Sequence, residues 1–92
     1  MDKYSFIKDL TKQYLDGNLS KVKMEYEGSD STIVDVVYHD GNPYAFIYRF
    51  EVTLSTRDIT FIKHYCVYNS DEIKLKRDPQ FEKAVLQYLF EH

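Results

Sequence analysis

The stretch Tyr44-Ala45-Phe46-Ile47-Tyr48-Arg49-Phe50-Glu51-Val52-Thr53-Leu54 decides how this chain is read. Tyr44, Phe46, Tyr48, Phe50, Val52 and Leu54 recur at every second position, so in an extended strand all six side chains point to one face. Such a strand is longer than usual. A stripe this aromatic needs complete cover, which predicts the central strand of an antiparallel sheet with its aromatic face packed away from water.

Working outward, Asp40-Gly41-Asn42-Pro43 is a turn signal, because Gly and Asn tolerate positive φ and Pro presets its own. The aromatic strand is then the return arm of a hairpin. Its first arm spans 32–39, with Val34, Val36 and Tyr38 opposite Ile33, Asp35, Val37 and His39. Gly28-Ser29-Asp30-Ser31 makes the preceding turn. Residues 20–27 alternate Val22, Met24 and Tyr26 against Lys21, Lys23, Glu25 and Glu27, the pattern of a half-buried strand. Downstream, Ser55–Asp58 reverses the chain into a strand over 59–68. Strict alternation puts Ile59, Phe61, Lys63, Tyr65 and Val67 on one face, and Thr60, Ile62, His64, Cys66 and Tyr68 on the other. Residues 73–76 fit either a short edge strand or a loop.

Residues 3–16 predict an amphipathic helix, with Tyr4, Phe6, Ile7, Leu10 and Tyr14 on one face and Gly17-Asn18 supplying the left-handed residue at its end. Asp78-Pro79 reads as an N-cap followed by proline at the first helical position. Phe81, Ala84, Val85, Tyr88 and Leu89 continue as one helical face. Sequential antiparallel strands usually pair as neighbours. The expected fold is a two-layer α+β domain, a four-stranded antiparallel meander flanked by N- and C-terminal helices (α-β-β-β-β-α). Both helices can cover the aromatic side, and residues 1–92 form a single domain.

Composition narrows the function classes. The 92 residues are 43% hydrophobic and 29% charged, which describes a globular chain. Fifteen acidic against twelve basic residues give a net charge of −3, against the basic balance of most nucleic-acid binders. The single cysteine, Cys66, excludes an internal disulfide and suits a reducing compartment. The N-terminus carries charges throughout, and no apolar run approaches the ~18 residues of a membrane span, so a cytoplasmic location is expected. Nine tyrosines without tryptophan, with many Lys, Asp and Ile, resemble small proteins of AT-rich bacterial or phage genomes.

Function is sought on the sheet face opposite the aromatic stripe. Ile33, Val37, Ala45, Ile47 and Arg49 should point there, with Ile62, His64 and Cys66 of the next strand. If both helices take the aromatic side, these apolar groups are left bare, and such patches mark interaction surfaces. Burying ~400 Å² at ~25 cal/mol per Å² would contribute roughly 10 kcal/mol before association costs. The expectation is a small non-catalytic protein-binding module, a phage- or mobile-element-type regulator or inhibitor acting by steric occlusion. Its partner is another protein or a second copy, and its contacts are Ile47, Arg49, Ile62, His64 and Tyr68. One bulge would exchange the faces of every residue after it.

His64 and Cys66 could share a metal or act as a nucleophile pair, but zinc needs three or four ligands, and the other histidines are His39 and His92. Asp35, Asp40, Glu51 and Asp58 are scattered over strands and turns, and the glycines are isolated. No enzyme, cofactor or metal centre is expected. The alternative is nucleic-acid binding through Arg57, Lys63, Lys74, Lys76 and Arg77, with Tyr44 or Tyr68 stacking on bases. In outline, helix–strands–helix resembles the double-stranded RNA-binding domain, whose last helix starts with phosphate-gripping lysines. The corresponding stretch here, Asp78-Pro79-Gln80-Phe81-Glu82-Lys83, holds one lysine and two acids, so that motif is absent.

Overall fold

In the computed structural model, which describes residues 3–26, 28, 30–41 and 44–91, a single five-stranded sheet carries both helices. The elements are α1 (Lys3–Tyr14), β1 (Asn18–Tyr26), β2 (Ser31–His39), β3 (Phe46–Thr53), β4 (Asp58–Tyr68), β5 (Asp71–Lys74) and α2 (Pro79–Glu91). The strands lie in sequence order and every neighbouring pair is antiparallel, which puts the aromatic β3 at the centre. Glu27, Ser29, Asn42, Pro43 and His92 lie outside the described residues, as do the side chains of Lys3 and Tyr26.

The core forms where the even-numbered stripe of β3 meets that of β2. Val34, Val36, Tyr48, Phe50 and Val52 are entirely removed from water under Ile7 and Leu10 of α1 and Phe81 and Val85 of α2. Both helices sit on this face, and the Phe6 and Tyr88 rings stack at 3.8 Å where they meet. Tyr4, expected on the buried face of α1, is exposed, and Thr11 is buried instead, its Oγ1 donating to the Ile7 carbonyl at 2.7 Å. Asp78 caps α2 as its sequence predicts, accepting from the Phe81 amide at 3.1 Å.

Three local features depart from the expectation. The 73–76 segment begins in a fifth strand. Asn69 and Ser70, at φ 49° and 67°, make the two-residue turn of a β4–β5 hairpin, for which both central residues need positive φ. The left-handed residue after α1 is Asp16, at φ 54°, and not Gly17. Gly17 is needed for a different reason. A Cβ there would lie 2.7 Å from both the His39 carbonyl oxygen and the Tyr38 ring, so only glycine lets the chain turn this tightly against the end of β2.

The third departure decides the site. β3 and β4 pair Arg49 with Lys63 but Phe50 with Phe61, so Ile62 is an extra residue in β4. This bulge leaves Ile59 and Phe61 packed on the core before it, and brings His64 and Cys66 to the covered face after it. Lys63, Tyr65 and Val67 turn to the other side.

Candidate functional site

Among the described residues, no helix covers the second face of the sheet. Along β2 it presents Ile33, Asp35, Val37 and His39, and along β3 Ile47, Arg49 and Glu51, opposite the buried stripe of each strand. The bulge adds Lys63, Tyr65 and Val67 of β4. Register then lines up one row across all five strands, Lys21, Val37, Ile47, Tyr65 and Lys74. Val67, 40% exposed, lies beside this row. The centre of the face is therefore apolar and aromatic.

Its charges mostly neutralise one another across strands. Arg49 grips Asp35 in a two-toothed pair, Nε to Oδ1 at 2.7 Å and the second nitrogen to Oδ2 at 3.1 Å, and this contact raises the guanidinium pKa. Lys23 meets Glu25 at 2.7 Å, and Lys63 is paired with Glu72 while its ammonium lies 4.4 Å from the centre of the Tyr65 ring. Lys21 and Lys74, at the two ends of the apolar row, have no carboxylate partner among the described residues.

Of the five contacts expected from sequence, Ile47 and Arg49 lie on this face, and Ile62 is exposed at the bulge beside it. His64 does not belong to the face. It is 7% exposed on the covered side, where the bulge has turned it, and Cys66 follows it there. Tyr68 is on the covered side too, past the reach of the helices, and meets Tyr44 edge-on at 4.8 Å. Tyr65 and Val67, assigned by strict alternation to the aromatic side, replace them on the bare face.

His64 has a structural task instead. A carbonyl can only accept, so its Nδ1 carries the proton and donates to the Lys76 oxygen at 2.7 Å. Nε2 is then the acceptor for the Tyr38 hydroxyl at 2.6 Å. Burial lowers the His64 pKa, outweighing the Lys76 carbonyl, Asp78 and Glu82, and keeps the ring neutral. Burial likewise pushes the Tyr38 phenol up, so it stays a donor. Both ring nitrogens are engaged, and the imidazole offers no lone pair to a metal or to the Cys66 thiol.

Sequence reasoning did not find a second buried network. Glu82, 2% exposed, accepts from the Tyr48 hydroxyl and from Arg77 Nε at 3.0 and 2.8 Å, while Tyr48 accepts from the Asp78 amide at 2.7 Å. The available signal was Glu82 itself, a lone acid between Phe81 and Val85 on the apolar face of α2. Together the two networks fasten residues 76–78 to the sheet. A cleft of about 610 Å³ opens beside them, with Tyr38 and His64 in its lining and Lys76 and Arg77 among its other walls.

Of the five cations of the nucleic-acid alternative, Lys63 and Lys74 line one small pocket, Lys76 and Arg77 line the cleft beside His64, and Arg57 stands apart. Lys63 and Arg77 are committed to Glu72 and Glu82. Arg57 lies 5.0 Å from the Phe90 ring near the C-terminal end of α2, about 20 Å of helix away from Arg77 at the other end. Among the described residues no group of three His, Cys, Asp or Glu side chains could hold a metal, and no helix is long and apolar enough to cross a membrane. In comparisons with known proteins, no protein-family model, curated protein or solved structure matched this chain.

Proposed function

We propose that this chain is a non-catalytic protein-binding module, a small regulator or inhibitor that acts by covering a surface of its partner. Its docking surface is the bare face of the sheet. One observation carries this reading: both helices pack on the same side, leaving the row through Val37, Ile47 and Tyr65 with no element over it. A sheet with both faces needed for stability would divide its helices between them. Aromatic and arginine side chains such as Tyr65 and Arg49 are the types that dominate interface energies.

The test uses immobilised protein as bait in cell extract, with Ile47→Lys as the comparison. The variant is expected to keep the wild-type circular dichroism spectrum and to lose the proteins that wild type retains. Retention of the same proteins by a folded Ile47→Lys variant would overturn the reading. The nucleic-acid alternative predicts binding that falls steeply with salt. It would be favoured by a shifted band at low salt that Ile47→Lys leaves intact.

A further inference from the structure

The bare face also says something about the chemistry of what covers it, given the docking role above. Three of its charge pairs are satisfied in place. Arg49, Lys23 and Lys63 each hold a carboxylate, so none of them asks for a partner. Lys21 on β1 and Lys74 on β5 are the exceptions, exposed at opposite ends of one apolar row. Four strand spacings of ~4.8 Å set their backbones roughly 19 Å apart. Among the described residues, the bare face's other charges without an ion-pair partner, Glu51 on β3 and Asp58 at the start of β4, lie outside this row.

A second copy of the chain fits this pattern badly. In aligned packing centred on the apolar row, the face closes on itself through a two-fold axis running along the strands or across them. Along the strands, β1 of one copy lies over β5 of the other, so Lys21 meets Lys74 at both ends. Across the strands, each row lies on its own copy, so Lys21 meets Lys21 and Lys74 meets Lys74. Packed sheets lie ~10 Å apart, within reach of two facing lysine side chains. Both arrangements oppose ammonium groups at both ends of the apolar row, and like charges facing each other act against association.

We propose that the occupant of the bare face is an acidic surface on a different protein, with apolar side chains between two carboxylates about 19 Å apart. Lys21 and Lys74 bracket it, and Val37, Ile47 and Tyr65 fill the space between. The two lysines set the choice of partner, and the apolar row holds it.

The chain itself can supply the probe. In the double variant Lys21→Glu/Lys74→Glu, the same apolar row is bracketed by carboxylates, which is the surface proposed for the partner. Both substitutions are at exposed edge-strand positions, and near-ultraviolet circular dichroism checks the fold. Sedimentation is measured for wild type alone, variant alone and an equal mixture, at concentrations up to about 1 mM, where even weak association registers. The expected result is monomers in both separate samples and a dimer in the mixture, lost at high salt and lost when Ile47→Lys is added to either chain. No dimer in the mixture overturns the acidic-partner proposal and leaves the docking face to its own bait experiment. A wild-type dimer abolished by Ile47→Lys overturns it as well, keeping the face but filling it with a second copy. A mixed dimer indifferent to Ile47→Lys overturns both.

Discussion

The two faces of the sheet are built from the same strands and meet opposite fates. On β3, Tyr48, Phe50 and Val52 are wholly buried, while Ile47, Arg49 and Glu51, interleaved with them, remain half-exposed. Polar groups follow the same division. On the covered face, Tyr48, His64 and Glu82 are buried and all hydrogen-bonded, as the high cost of an unpaired buried group requires. On the bare face, three pairs of charges meet side by side near water, where each pair contributes little to stability. The covered face spends its side chains on holding the fold. The bare face, only half-buried, should tolerate substitution at a smaller cost to the fold.

That division can be broken most sharply at neighbouring positions of one strand. Phe50→Ala should cost about 3–5 kcal/mol, a large part of a small domain's stability, because the cavity lies between β3 and Phe81. Ile47→Ala, three residues earlier and on the other face, should cost about 1 kcal/mol. Urea denaturation of the two variants tests the contrast, and comparable losses would mean that the second face is also core.

A smaller effect is expected where α1 hands over to β1. Gly17→Ala should cost about 1–3 kcal/mol, since the new Cβ must displace the His39 carbonyl and the Tyr38 ring. Asp16→Gly relieves a positive φ and should be neutral or stabilising by comparison. If thermal melts ranked the two substitutions the other way, the close approach would be wrong.

The mildest contrast is in pH. The His64 pKa is lowered in the folded state, chiefly by burial, so the unfolded chain takes up its proton first. Its contribution to stability is full above the unfolded value of about 6.5 and is lost as pH falls through that value toward the folded one. Wild type should therefore lose more stability than His64→Gln between neutral and mildly acidic pH, read as urea midpoints. Equal pH dependence in the two proteins would show that the imidazole is not held neutral.

Much of this division was legible in the sequence, and the misplaced faces have one physical origin. The alternation in 32–39 and in 46–52 places those residues correctly, because unbroken period-two pairing transmits a face assignment along a strand. It failed at β4, where the extra residue Ile62 shifted the period and exchanged His64 and Cys66 for Tyr65 and Val67. Nothing in Phe61-Ile62-Lys63-His64 marks a bulge, since isoleucine and lysine suit either face. β5 is ambiguous in the sequence because its turn uses Asn69-Ser70 without glycine. Asp78-Pro79, by contrast, fixed the start of α2 through chemistry local enough to read directly.

The chain's one thiol, Cys66, reports directly on the bulge at Ile62. With Ile62 bulged, Cys66 is 6% exposed on the covered face. Without the bulge it would stand on the bare face among Ile47 and Val37. The measurement is the rate at which native protein reacts with an aromatic disulfide reagent. Cys66 should react only as the protein unfolds, while Ile62→Cys in a Cys66→Ala background should react at once. Prompt reaction of Cys66 in the native protein would contradict the assignment of the two faces.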